Sequence, residues 1–183
     1  MSVLSVIALV ASGIGLGVVL SMTGCASPSI TAYRDNKPTV DIREYFNGNL
    51  VAFGTVQDFS GKVISRFTAT ITGKFDKTSG TLDENFTFDD GKTERRLWSF
   101  KISEDGSFVG TAHDVIGEAK GKQKGNAIFM EYVLKRTIDG SEMTFTMDDR
   151  LYQIDDTYLM NQTKMKKFGI TVAELNIGFH KVK

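Results

Sequence analysis

Four charged residues stand where an alternating chain puts apolar side chains. Glu84 shares its parity with Leu82, Phe86 and Phe88, and Arg96 with Trp98, Phe100 and Ile102. Asp114 falls in line with Phe108, Gly110 and Ala112, and Asp149 with Met143, Phe145, Met147 and Leu151. Successive side chains of a β-strand point to opposite faces, so each of these charges is sent to the side of a bulky apolar set. Charge there is costly unless it is paired and hydrogen-bonded. A guanidinium can fork to two carboxylates, which gives a Glu84–Arg96–Asp114 row two readings. One is a structural ion cluster that fixes register or plugs one end of the fold. The other is a polar anchor at the bottom of an apolar pocket, holding the head group of an acyl ligand, with Trp98, Tyr132 and the Phe and Met residues as walls. Apolar walls with a few convergent polar groups are the usual form of a small-molecule site. Trp98 and Tyr132 read equally well as plain core.

Catalytic chemistry finds less support. Two carboxylates could act as acid and base only if one of them held a proton. With Arg96 between them, Glu84 and Asp114 are both expected to stay ionised, so no catalytic residue is assigned and the chain is read as a non-enzyme. His113 faces opposite to Asp114, His180 lies on the outward parity, and neither has metal-ligand spacing. No metal and no cofactor is expected. No Gly-x-Ser-x-Gly elbow is present. The run 114–126 carries Gly117, Gly121 and Gly125 with Lys120, Lys122 and Lys124. It misses the phosphate-loop spacing by one residue and has no Ser or Thr after Lys122. A bent edge strand with a solvated basic face fits it better. The 22 basic and 22 acidic residues cancel, which argues against a nucleic-acid partner.

The elements that must position these residues are strands. After one short helix within residues 39–46, the pattern has period two and is broken by glycine-containing turns. Strands are expected at 50–58, 63–75, 81–88, 92–103, 107–114, 127–138, 141–154, 157–165 and 170–181, with a short tenth near 118–122. No connection is long enough for a crossover helix, so the sheet should be antiparallel. Eight to ten sequential strands predict an all-β, up-and-down, lipocalin-like barrel, closed to remove its edges; a two-sheet sandwich is the alternative. The turns also set register. Asp89-Asp90-Gly91 pairs Leu82 with Trp98 and Glu84 with Arg96. Glu104-Asp105-Gly106 pairs Ile102 with Phe108, Trp98 with Ala112 and Arg96 with Asp114. Asp139-Gly140, as a type I′ turn, pairs Leu134 with Phe145, Tyr132 with Met147 and Met130 with Asp149. The last strand presents Ala173, Leu175, Ile177 and Phe179 inward.

The chain before Arg34 contains no Asp, Glu, Lys or Arg, and residues 3–20 form an apolar run. The segment Leu20-Ser21-Met22-Thr23-Gly24-Cys25 resembles the lipobox of bacterial lipoproteins. The resemblance implies a signal peptide at 1–24, cleavage before Cys25 and lipidation of its sulfur, which would anchor the chain to a membrane. Residue 26 is Ala rather than the Asp that retains such lipoproteins in the inner membrane. The expected address is the outer membrane, facing the periplasm. Residues 25–38 read as a tether and 39–183 as a single barrel domain.

Several spaced motifs resemble one family. They are Arg95-Arg96-Leu97-Trp98, the run 114–121 (Asp-Val-Ile-Gly-Glu-Ala-Lys-Gly), Gly125-Asn126-Ala127, Tyr132, Asp148-Asp149, Asn161 and Lys167-Phe168-Gly169. Together they are similar to the DUF3833 lipoproteins of proteobacteria. Arg150 departs from the Trp that the family pattern would place after the Asp pair. The resemblance implies an outer-membrane lipoprotein of unassigned function, with a hint toward acyl chains. The expected function is binding of a hydrophobic or acyl (lipid) ligand, with Glu84, Arg96, Trp98, Asp114, Tyr132 and Asp149 as candidate contacts. The alternative is a non-catalytic structural or interaction module with a fully packed barrel.

Overall fold

The structure is a computed structural model that describes residues 27–138 and 140–182. The leader, the proposed cleavage site, Cys25 and Asp139 of the expected type I′ turn lie outside the described residues. Ten antiparallel strands follow a 3-10 turn (Ile30–Tyr33) and a one-turn helix, α1 (Ile42–Tyr45). They are β1 (Gly48–Asp58), β2 (Val63–Phe75), β3 (Ser79–Phe88), β4 (Thr93–Ile102), β5 (Ser107–Thr111), β6 (Val115–Lys124), β7 (Ala127–Ile138), β8 (Ser141–Gln153), β9 (Tyr158–Lys167) and β10 (Ile170–Lys181). Each strand pairs with its neighbours in the chain, and β1 pairs with β10 to close the sheet. The result is the up-and-down barrel, not the sandwich. Closure satisfies the edges that an open sheet of this length would expose.

The turn chemistry set the registers as expected over most of the barrel. Leu82 pairs with Trp98 and Glu84 with Arg96. Ile102 pairs with Phe108. Leu134 pairs with Phe145, Tyr132 with Met147 and Met130 with Asp149. One expectation fails. The β4–β5 ladder ends at Ser99–Thr111, so Trp98 and Ala112, and Arg96 and Asp114, are not ladder partners. The chain turns at Ala112, where the Val115 N–H donates to the Ala112 carbonyl at 3.1 Å. β6 then starts at Val115 and shifts register between Ile116 and Lys120. The expected short strand at 118–122 is thus the straight lower part of a longer, bulged one.

One end of the barrel is shut by α1. Asp41 caps it, accepting the Arg43 N–H at 2.8 Å, which satisfies one of the donors a helix start leaves open. The Tyr45 hydroxyl donates to the Thr157 carbonyl at 3.0 Å. Ile42, Tyr45 and Phe46 are buried and join the barrel core. Gly73 makes this floor possible, because a Cβ there would stand 1.6 Å from the Phe46 carbonyl oxygen. Gly121 does similar service in the wall, since a Cβ would meet the Phe108 ring at 2.1 Å. Within the segment expected to be a tether, Ile30–Tyr33 packs on the outer wall. The Tyr33 ring lies 5.6 Å from Phe129 and 5.3 Å from Tyr152, centroid to centroid.

Candidate functional site

The inward charges form a belt away from the bottom of the barrel, three of them from the inner part of strands. Glu84 comes from β3, Arg96 from β4, Asp149 from β8, and Asp114 from the β5–β6 turn. The structure thus brings all four together, but Asp114 arrives by a turn where a strand was expected. The Arg96 fork is also spent differently. Its Nε donates to Asp114 Oδ1 and Oδ2 at 3.1 and 3.0 Å, and its Nη2 to Oδ2 at 2.7 Å. The guanidinium therefore grips one carboxylate instead of bridging two. This ion pair lies over the upper part of β4, which has no β5 partner. A second pair, Arg136 Nη2 to Glu94 Oε1 at 2.6 Å, joins β7 to β4 beside it.

Glu84 is left without that partner. Its side chain is buried, 8% exposed, and Oε2 meets no donor from the protein. Burial pushes its carboxyl up to about 7, while nearby Arg96 and the Trp98 indole pull the other way. This corrects the expectation that Glu84 stays fully ionised beside Arg96. Burial likewise pushes Asp149 up to about 6, partly offset by the Thr163 hydroxyl that donates to it at 2.6 Å. Burial, and secondarily Asp149, hold the Tyr132 phenol far above its ordinary value.

Asn161 and Thr163, both buried on β9, complete the belt; Asn161 entered only through the family pattern, and neither was expected to face inward. Asn161 Nδ2 donates to Thr163 Oγ1 at 3.1 Å. Turn register alone does not find them. The two-residue Phe168-Gly169 turn pairs Lys167 with Ile170, and counting back from it would set Gln162 opposite Leu175; the bulge between Thr171 and Ala173 is what brings Thr163 opposite Leu175 and Asn161 opposite Ile177. Trp98 and Tyr132 stand where expected, their rings 5.3 Å apart and edge to face.

Above and below the belt the barrel is hollow. A cavity of about 560 Å³ runs from Phe46 of the floor, past Phe100, Trp98 and Tyr132, to Phe88 at the far end. That volume lies within the roughly 300–1,000 Å³ of ordinary small-molecule sites. The interior is not fully packed, which removes that part of the structural alternative. Leu175, Ile177 and Phe179 line the cavity on β10. Met143, expected inward, sits exposed at the rim. It belongs to a crown of exposed apolar side chains at the end away from α1, with Phe59, Ile64, Ile138, Phe168 and Ile170. Phe168 is 93% exposed and has φ of 51°, a backbone region that bulky residues rarely occupy.

Among the described residues no group of three His, Cys, Asp or Glu is placed to hold a metal ion. His113 is exposed, and His180 stacks on Tyr158 at 5.1 Å on the outer face. Lys120, Lys122 and Lys124 alternate on the outside of β6. Arg150 also faces outward, its guanidinium 4.5 Å above the Phe129 ring and bonded to Asp148.

The sequence profile of DUF3833, described as a protein of unknown function, matches residues 19–181, and the chain belongs to that family. No curated protein matches it in sequence. Among solved structures it is similar to the S-type phycobiliprotein lyase of Guillardia theta, at 9% identity and a TM-score of 0.60, over 80% of this chain and 94% of the lyase. It is also similar to a de novo designed fluorescence-activating β-barrel, at 12% identity and a TM-score of 0.43, over 78% of this chain and 99% of the design. The lyase likeness establishes a shared fold.

Proposed function

We propose that this barrel is a binding protein for a hydrophobic ligand of the lipid class. We further propose that it is carried on the outer membrane by a lipid on Cys25 and faces the periplasm. The observation that carries the reading is the open cup itself. Its cavity has aromatic and aliphatic walls, a polar belt and one mouth with an apolar crown. Burial of an alkyl chain there gains roughly 0.8 kcal/mol per methylene. The crown supports an apolar entry route, since exposed patches of this kind mark interaction sites.

Native mass spectrometry of the gently extracted full chain tests the reading. A co-purifying amphiphile that is lost when Trp98 or Tyr132 is replaced by a charged residue is the expected result. A ligand-free protein that also binds no added amphiphile overturns it. For the anchor, Cys25→Ser should move the protein from the outer-membrane fraction to the soluble periplasm or leave an uncleaved precursor. An unchanged mature lipoprotein would overturn that part alone.

A further inference from the structure

We infer that the polar end of the ligand is a hydrogen-bond donor, best a protonated amine, and that the belt rejects a carboxylate head group. The inference rests on the reading of the cup as a ligand site and adds the chemical class of what it takes.

It follows from which charges are already committed. Three cations line the cavity among the described residues, namely Lys92, Arg96 and Arg136. Lys92 Nζ holds Asp90 at 2.7 Å, Arg96 holds Asp114 at 2.7 Å, and Arg136 chelates Glu94. Inside the cup neither arginine remains free for an incoming anion, and Lys92 stands at the solvent-exposed rim beside Asp90. Two lining carboxylates have no cation of their own, Glu84 and Asp149. Once these two ionise, the belt carries a surplus of negative charge at a buried site, where each charge acts more strongly than in solvent.

The hydrogen bonds point the same way. The Thr163 hydroxyl gives its proton to Asp149, so it can only accept from Asn161, whose amide nitrogen faces it. That orientation leaves the Asn161 carbonyl oxygen as the free end, and it is buried without a donor in a side chain 4% exposed. Glu84 Oε2 is the second such oxygen, in a side chain 8% exposed. Both residues line the cavity. Buried acceptors are normally satisfied. An ammonium brings three donors and one positive charge, and the Trp98 and Tyr132 rings suit a cation. A carboxylate would bring two more acceptors and a second like charge.

A pH signature follows. The groups facing Glu84 are Arg96 from β4, Asp114 from the β5–β6 turn, Tyr132 from β7 and Asp149 from β8. Arg96 keeps its charge throughout. A bound cation favours the ionised carboxylates, so its affinity rises as pH climbs through their titration. An anionic head group would bind better as pH falls.

The test uses the full chain held in a non-ionic amphipol, with its single tryptophan, Trp98, as the fluorescent reporter in the cavity wall. Decylamine, decanol and decanoate are titrated separately. Decylamine is expected to bind about tenfold more tightly than decanoate near pH 7.5, a difference of about 1.4 kcal/mol. The preference should shrink toward pH 5.5 and vanish in the Glu84→Gln/Asp149→Asn double variant, which still binds decanol. Decanoate binding as tightly as decylamine, or a preference that survives the double variant, overturns the inference while the cup remains a ligand site. If none of the three probes perturbs Trp98, the ligand-site reading falls together with the inference.

Discussion

The two buried carboxyls should make this barrel less stable as pH rises from about 5 to 8. Glu84 is pushed up from 4.5 to about 7 and Asp149 from 3.8 to about 6, in each case by burial. The folded state therefore holds protons that the unfolded chain releases near pH 4. In that interval stability falls with pH, because the folded state binds more protons than the unfolded one. At 1.36 kcal/mol per pH unit, each group alone forfeits about 3 kcal/mol once ionised in place. Against a typical total of roughly 5–15 kcal/mol this is a large share. With a urea m-value of about 2 kcal/mol/M, the loss from one group moves the midpoint down by about 1.5 M. Surface carboxylates such as Asp58, Asp76 and Asp105 are held below their ordinary value by turn hydrogen bonds. Their contribution is present above pH 4 and is lost only below it, so it leaves the window clear. The assay is a urea midpoint measured at several pH values for the wild type, Glu84→Gln and Asp149→Asn. Each substitution should flatten the slope and raise the midpoint near pH 8; Glu84→Gln should change little near pH 5, where Asp149→Asn already recovers part of its gain. A wild-type midpoint that is constant or rises across the window would refute the burial argument, as would a Glu84→Gln curve parallel to the wild type.

Three further outcomes are expected. Arg96→Ala removes the counter-charge of Asp114 from a pair only 17% and 12% exposed, and should cost about 3 kcal/mol or more in urea unfolding; a loss below half a kcal/mol, roughly the size of a surface pair, would mean the belt is solvated. Phe168→Asn relieves a bulky side chain at φ of 51° that is 93% exposed, and should stabilise the fold by about 1 kcal/mol. The same variant should slow ligand uptake in stopped-flow quenching of Trp98, and unaltered uptake would detach the crown from the entry route. Phe46→Ala opens the floor beside Gly73 and should destabilise by about 3–5 kcal/mol, read as a lower thermal midpoint.

Much of this architecture was legible because hairpin turns carry register. Asp89-Asp90-Gly91 alone was enough to place Glu84 beside Arg96, and Asp105-Gly106 to place Ile102 beside Phe108. Both turns announce themselves by acidic side chains that bond the backbone and by a glycine at positive φ. Asp114 went astray because Ala112-His113-Asp114 has no such signature, and alternation was extended through a turn that the chain makes there. The fork of Arg96 followed the same error. With Asp114 on a loop, it can come round to take both arms of the guanidinium, and Glu84 loses its partner. Asn161 and Thr163 were hidden for another reason. β9 alternates Leu159, Asn161, Thr163 and Met165 against Tyr158, Met160 and Gln162, so both faces look mixed and neither declares itself the core. The cavity is not a pattern at all. It depends on the volumes of side chains from every strand, which no single strand reveals.

The belt is costly in a way that argues for use. A fold selected for stability alone would replace Glu84 by Gln or Leu, since its carboxyl is buried with one oxygen unpaired and its nearest cation is committed elsewhere. The Asn161–Thr163–Asp149 chain repeats the pattern, because it holds one more acceptor fixed toward the cavity by directing each proton along the chain. Structural ion clusters close on themselves, as Arg136 and Glu94 do at the mouth. The belt does not close, since it ends in two oriented acceptors inside an apolar cup. Strain and unmet polar groups of this kind collect at binding sites, where a ligand supplies what the protein lacks. Glu84→Gln should therefore separate the two demands in one molecule. It should give a more stable barrel near pH 8 whose preference for a cationic amphiphile is weakened. A variant that gained stability and kept the preference in full would return Glu84 to the structural core and leave Asp149 to carry the site.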